Sequence, residues 1–293
     1  MTARFPELGE KIVQTIFAGV ESTADPNDNF RQHLGCSLIG DECERKSWYT
    51  FNWYTQRNIP GRILRLFDRG NREEAPLVEA IRSAHIEVQP VNPSTNRQWT
   101  FRDPGLPHFG GSADAISRGW FGNDTWVGLE FKTAGAARWR EFSRKGIEET
   151  SPTYFGQVQS MMRLSHLDCS PTPPLNSFIE IIVNKDNDEL YAELIPRDPQ
   201  VGEILHVKAE RILDARHPTE VERISEYGDY YLCKFCDHSS ICHGYDDAVP
   251  APTCRSCAHV SMTTRTWRCG LKRRRLSRSA SLAGCAEYVA QTP

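Results

Sequence analysis

The stretch Thr125-Trp126-Val127-Gly128-Leu129-Glu130-Phe131-Lys132-Thr133 alternates strictly along its length. Val127, Leu129 and Phe131 fall on one side and Gly128, Glu130 and Lys132 on the other, the period-two pattern of a half-buried strand. An acid and an amine two residues apart on one strand face set an oxygen ligand beside a cation that can steer a water molecule. Upstream, Gly110-Gly111-Ser112-Ala113-Asp114-Ala115-Ile116 reads as a second short strand with an acid following its glycines. Two carboxylates on adjacent strands, Asp114 and Glu130, suit Mg²⁺ or Mn²⁺, hard cations that favour oxygen ligands. Lys132 beside them can stabilise hydroxide or the charge that develops on a phosphodiester. A Glu-x-Lys tripeptide alone equally describes a surface strand pair, so the surroundings decide.

Outward from this strand the chain alternates between helical and extended patterns. Ile12, Val13, Ile16, Phe17 and Val20 predict a helix over 7–21, and Ala75, Leu77, Val78 and Ile81 a second over 73–84. Residues 92–110, rich in Pro, Asn, Gly and Asp, read as loop. Pro152 opens a helix to Ser165, and 178–184 with 190–195 flank Asp186-Asn187-Asp188 as a hairpin. Asp198-Pro199 supplies an N-cap and a first-turn proline for a helix to Ala215. Residues 244–253, with Asp246, Asp247, Pro250 and Pro252, form the most linker-like segment.

The 293 residues are 39% hydrophobic and 25% charged, which excludes a disordered, collagenous or purely coiled-coil chain. No run approaches the ~18 apolar residues of a membrane span. The start, MTARFPELGEK, lacks the basic-then-apolar pattern of a leader, so a cytoplasmic location is expected. The net charge of −3 conceals an asymmetry: from residue 250 onward eight basic residues face one acid, Glu287. A basic tail on an acidic body points to a polyanionic partner.

Ten cysteines are many for a reducing compartment, where metal or iron–sulfur ligation outranks disulfides. Cys233, Cys236 and Cys242 follow a C-x₂-C-x₅-C spacing, unlike a zinc ribbon and one ligand short. Cys254, Cys257, Cys269 and Cys285 form a second set. Four thiolates favour tetrahedral zinc, with His259 able to replace one and a second iron–sulfur cluster as the alternative. Lys272-Arg273-Arg274-Arg275 lies between its third and fourth cysteines and is expected to stand out as a phosphate-gripping loop. Cys36 and Cys169 read as buried thiols. His33, His108, His166 and His206 read as structural, and Trp48, Tyr49, Trp53 and Tyr54 as aromatic core.

Taken in order, Glu74, Asp114, Glu130, Lys132 and Gln157 resemble the motifs of the RecB-like PD-(D/E)XK nucleases over residues 30–245. That branch includes the CRISPR-associated and phage recombination exonucleases. The resemblance implies an α/β fold, a central mixed sheet flanked by helices, with a small Cys-rich module at the C-terminus. Glu74 would be the acid of the first core helix, Asp114 that of the second core strand, and Gln157 the glutamine of the following helix. A tyrosine usual four residues after that glutamine is replaced by Met161, and Tyr154 is the nearest substitute. The family's iron–sulfur variant implies a [4Fe–4S] cluster on Cys43, Cys233, Cys236 and Cys242, with zinc on the same ligands, or on His238 or His243 in place of Cys43, as the alternative.

The implied activity is a Mg²⁺- or Mn²⁺-dependent DNA exonuclease of phage-type recombination or end processing. Its partners would be linear duplex or single-stranded DNA ends and a single-strand annealing protein, with no membrane and with oligomers compatible. Arg45 and Tyr154 are expected on DNA, and Arg138, Arg140 and Arg144 at the entrance. The expected division is a nuclease domain with its cluster over 1–246 and a basic four-cysteine module over 247–293. The alternatives are a catalytically weak DNA-binding scaffold and an iron–sulfur redox sensor.

Overall fold

Helices cover both faces of one sheet, and the functional residues lie where that sheet meets its neighbours. The computed structural model describes residues 6–25, 27–28, 30–56, 58–122, 124–167, 172–245, 248–263 and 266–291. The chain begins with α1 (Pro6–Thr23), strand β1 (Leu34–Gly35) and helices α2 (Cys36–Ile39), α3 (Glu44–Phe51) and α4 (Gly61–Ser83). Strands β2 (Glu87–Gln89), β3 (Trp99–Arg102), β4 (Phe109–Ala113), β5 (Ala115–Arg118) and β6 (Val127–Ala134) follow. Next come α5 (Ala136–Thr150), α6 (Pro152–Ser165), the hairpin β7 (Ser177–Asn184) and β8 (Leu190–Pro196), and α7 (Pro199–Asp214). The C-terminal part holds α8 (Ser239–His243), β9 (Val260–Met262), β10 (Trp267–Cys269), β11 (Arg274–Leu276) and α9 (Arg278–Ala283).

The main sheet has the order β2-β5-β6-β7-β8. Only β6 and β7 run parallel, so their connection must cross over a face, which α5 and α6 do. A mixed α/β architecture results, as the sequence patterns anticipate. The hairpin lies where its turn residues place it, α6 opens at Pro152, and Asp198 accepts from the amides of Gln200 and Val201 at the start of α7.

Three sequence expectations for residues 61–134 are corrected. First, β6 is buried on both faces. Val127, Leu129 and Phe131 pack with Leu77, Val78 and Ile81 of α4. On the other face a Cβ at Gly128 would collide with the Phe178 ring, so glycine there lets the two strands' contents interlock. Second, α4 begins at Gly61, not near Glu73. Gly70-Asn71 looks like a break, but packing on α1 and β6 carries the helix through it. Glu74 therefore sits mid-helix. Third, the expected loop 92–110 contains β3 and the start of β4. Gly110 allows the Phe101 carbonyl and the Arg102 guanidinium to close over the backbone, which a side chain would prevent.

The C-terminal segment shares the main core. Trp267 and Leu276 belong to the same apolar cluster as Phe51 and Phe109. Arg255, 3% exposed, donates to the carbonyls of Phe51 at 2.8 Å, Gln32 at 3.0 Å and Arg31 at 3.2 Å. Its guanidinium lies 3.8 Å from the Trp53 ring centroid and 4.6 Å from that of Trp267. Of the linker-like segment, the Ala251 amide donates to the Tyr54 carbonyl at 2.7 Å, while Asp246 and Asp247 lie outside the described residues. The basic run is not a loop throughout: Arg274 and Arg275 lie in β11, paired with β10, and Lys272 and Arg273 form the turn before it. No described helix is long and apolar enough to cross a membrane.

Candidate active site

A cleft of about 1070 Å³ opens where β4, β5, β6 and α6 meet the C-terminal segment. Asp114 sits at the junction of β4 and β5, and β5 pairs antiparallel with β6, so Asp114 reaches the centre of that strand. Its Oδ2 accepts the Phe131 amide at 2.7 Å. Glu130 and Lys132 project from β6 on the α6 side. The Lys132 ammonium donates to Glu130 Oε1 at 2.6 Å, and Gln157 Nε2 donates to the same oxygen at 2.6 Å. Glu130 Oε2 is buried and has no hydrogen-bond partner. One carboxylate oxygen is thus held by two donors while the other is left uncommitted. Asp114, Glu130, Lys132 and Gln157 all line the cleft.

Burial dominates the electrostatics. It pushes the Glu130 carboxyl up to about 7, with Lys132 opposing and Asp114 adding to the rise. Asp114 is raised by burial, against its Phe131 hydrogen bond and Lys132. Glu74, on the α4 face, is raised by burial and then by Asp114, with Lys132 opposing. Lys132 is the cation on which these three acids converge. Burial alone would lower it, but Glu130 and the other acids nearby raise it, so it stays an ammonium. The Tyr154 ring lies 5.1 Å from that ammonium and stacks on Phe142. Tyr154 therefore braces Lys132 and does not line the cleft.

Other expected residues lie elsewhere. Arg45 donates through Nε and Nη2 to the Val221 carbonyl, which ties α3 to the segment before the cysteines. Arg138, Arg140 and Arg144 on α5 do not line the cleft. Arg138 is engaged by Glu141 and the Thr150 carbonyl. Besides Lys132, the cleft's cations are Arg31, Arg102, Arg255 and Arg278, and His33 and His108 line it as well. Asn71 reaches it from α4 one turn before Glu74. The sequence carried little signal for these residues, because Arg102 sits on a four-residue strand and Arg255 and Arg278 come from the far end of the chain. Glu180 was also missed. It pairs in register with Glu130, is fully buried, and neither of its oxygens has a hydrogen-bond partner. Its place in a plain hydrophobic strand, Ser177–Asn184, was the available signal.

Cys43, Cys233, Cys236 and Cys242 line one small cavity of about 20 Å³ with Lys46 and Arg223. Cys254, Cys257, Cys269 and Cys285 line another of the same size with His259. Among the described residues no group of three or more His, Cys, Asp or Glu side chains is placed closely enough to hold a metal ion. The donor chemistry nevertheless fits, since each cavity is lined by four free thiols. The uncommitted Glu130 Oε2 beside Asp114 fits a hard cation. Cys36 is buried in the cleft wall, and Cys169 lies outside the described residues.

No family model matches the chain, and no curated protein matches it. Among solved structures it is similar to an alkaline exonuclease, LHK-Exo, from Laribacter hongkongensis, at 16% identity and a TM-score of 0.43, over 68% of this chain and 90% of that one. The complex of LHK-Exo with dAMP gives 15% identity and 0.41 over the same shares. SSO0001 gives 15% identity and 0.42, over 81% of this chain and 97% of that one.

Proposed function

We propose that the chain is a divalent-cation-dependent nuclease of the PD-(D/E)XK, RecB-like type that hydrolyses DNA phosphodiester bonds from an end. One observation carries the reading: Asp114, Glu130 and Lys132 converge in an open cleft, with one Glu130 oxygen doubly held and the other buried without a partner. An unpaired buried carboxylate oxygen costs stability that a ligand can recover. Asp114 and Glu130 would hold Mg²⁺ or Mn²⁺, with Glu74 behind them. A cation held there supplies Lewis acidity at a phosphodiester oxygen. Gln157 fixes the Glu130 carboxylate, so that Oε2 keeps its aim. Lys132, braced by Tyr154, presents a permanent positive charge to the attacking water and to the charge that builds on the phosphoryl oxygens.

Two further assignments belong to this reading. Cys43, Cys233, Cys236 and Cys242 would hold a [4Fe–4S] cluster that staples α3 to the 233–242 segment. Cys254, Cys257, Cys269 and Cys285 would hold zinc and order residues 247–293 as a module on the nuclease domain. The exposed side chains of Lys272, Arg273, Arg274 and Arg275 would add sequence-independent attraction to DNA, in phage-type recombination or end processing.

The test is cleavage of end-labelled linear DNA, duplex and single-stranded, with Mg²⁺ or Mn²⁺. Linear DNA should be degraded, closed circular duplex spared, and Asp114→Ala should abolish the reaction. Linear DNA left intact under both metals, or an Asp114→Ala protein as active as the parent, sinks the assignment.

A further inference from the structure

The cleft also holds arginines drawn from both ends of the chain, with two histidines and Asp28 in the same lining. Arg102 comes from β3, His33 from the residue before β1, and His108 from the residue before β4. Arg255 and Arg278 come from the C-terminal segment. Arg102 has no ion-pair partner among the described residues, and its Nη1 is buried without a hydrogen bond. Arg278, the first residue of α9, donates to the Asn27 carbonyl at 2.7 Å and likewise has no acidic partner among them. Arg255 is differently placed: buried and bonded to three carbonyls, it anchors the segment.

The field in this part of the cleft is positive. His33 is held down to about 4, first by its burial and then by Arg102, Arg31, Arg255 and His108. Asp28 also lines the cleft. At neutral pH His33 therefore offers a neutral ring N–H. The Cys36 thiol, in the cleft wall, feels both Arg102 and Glu130, so the arginines and the acids share one cleft. By contrast, Lys272 of the exposed basic run pairs with Glu287 at 2.9 Å and lies outside the cleft.

We infer that Arg102 and Arg278 form a phosphate-binding subsite, built jointly by the body and the C-terminal segment, that grips the backbone of a single DNA strand next to the acids. A guanidinium fork matches the non-bridging oxygens of a phosphodiester, and a cleft-lining arginine with no acidic partner gains most from such an acceptor. Because one of the two arginines arrives on α9, the C-terminal segment forms a wall of the site as well as an accessory contact. The identity of the ligand as nucleic acid rests on the nuclease reading; the anion site itself does not.

The experiment measures binding of a labelled 12-nucleotide single strand to the full chain in EDTA, where no cleavage occurs. Arg102→Gln and Arg278→Gln should each weaken binding about tenfold, and each should reduce the slope of log affinity against log salt by about 0.7, the value of one phosphate contact. Inorganic phosphate should compete with the strand on the parent protein and compete less well on Arg102→Gln. Arg278 is a partly exposed helix-start residue, so its variant keeps the test sound even if Arg102→Gln fails to fold. Parent-like affinity and salt slope in Arg278→Gln overturn the subsite. A parent protein that cleaves nothing yet binds through Arg102 and Arg278 would discard the nuclease reading and keep the subsite. Normal cleavage with unaltered binding in both arginine variants would do the reverse.

Discussion

Glu130 on β6 and Glu180 on β7 stand directly opposite one another on neighbouring parallel strands, both buried, and Lys132 is the ammonium that both feel. Only Glu130 has hydrogen-bond partners. One cation cannot neutralise two buried carboxylates, so the second acid carries the cost of its burial.

That relationship fixes a pH dependence. Burial first, and then the neighbouring acids against Lys132, raise Glu130 from an ordinary 4.5 to about 7 and Glu180 to about 8. Between these values the folded chain holds more protons than the unfolded one. The stability contributed by the pair is therefore full below pH 4.5 and is lost as pH rises through 7 and 8. In EDTA the melting temperature should fall across that window, and Glu180→Gln should flatten the fall. Equal slopes in the two proteins would show that the pair does not set the dependence.

The strand of Glu130 and Lys132 was legible because its side chains alternate between two faces, although both are buried, and the starts of α6 and α7 were legible locally, from Pro152 and from Asp198 with Pro199. Asp114 was legible as a residue, but its reach to the Phe131 amide depends on the pairing of β5 with β6, which no local pattern encodes. Arg102 was hidden in a segment whose glycines and prolines read as loop. One of those glycines, Gly110, instead admits a close approach within the β4–β3 pair. Arg255 and Arg278 looked like part of a charged tail. Their role depends on contacts more than two hundred residues away in sequence, to Arg31, Phe51 and Asn27. Local periodicity reports elements; it cannot report which distant elements close over them.

Gln157 acts through Glu130, so it is a positioning residue. Its amide donates to the oxygen that Lys132 also holds, and its removal would let the carboxylate turn. Outer partners of metal ligands typically cost about 10–100-fold in activity or metal affinity when lost. Gln157→Ala should therefore raise the Mn²⁺ concentration needed for half-maximal cleavage by that factor. Lys132→Met should instead lower the rate by about 10²–10³-fold at saturating metal. A Gln157→Ala protein with the parent's metal requirement would refute the positioning role.

Arg255 holds the C-terminal segment to the body through three carbonyls and two tryptophan faces. Burial lowers its pKa to about 9, with Arg278 adding to the effect, so it remains charged at neutral pH. Hydrogen bonds to a charged group contribute about 1.5–3 kcal/mol each, so Arg255→Met should cost at least about 2 kcal/mol even though its stem still packs. Residues 250–291 should become sensitive to protease before the rest of the chain, and single-strand affinity should fall because Arg278 loses its position. A variant as protease-resistant as the parent would show that the segment is anchored elsewhere.

The two cysteine sets separate by their settings. Cys43 caps α3, its sulfur accepting from the Lys46 amide at 3.4 Å, and the remaining three thiols of its set come from the 233–242 segment. Burial raises Cys233, Cys236 and Cys242, with Cys43 adding to each and the neighbouring cations, Arg223 at Cys233, Lys46 at Cys236 and Arg45 at Cys242, opposing. Such thiols stay protonated until a metal replaces their protons, so metal uptake at this site should be coupled to proton release. Protein purified without oxygen should be brown and carry about four irons per chain, and Cys43→Ser, Cys233→Ser, Cys236→Ser or Cys242→Ser should bleach it and lower its melting temperature by unfastening α3. The second set, with Cys254 raised by burial and then by Cys285, Cys257 and Cys269, should carry about one zinc that Cys254→Ser or Cys269→Ser removes without loss of colour. Cys36→Ser should leave both metals in place, since Cys36 lies in the cleft wall away from either cavity. Metal analysis across these variants decides both assignments: zinc in a colourless protein, lost on Cys233→Ser, would replace the cluster with a zinc site, and metal content unchanged by Cys254→Ser would leave the second set as plain thiols.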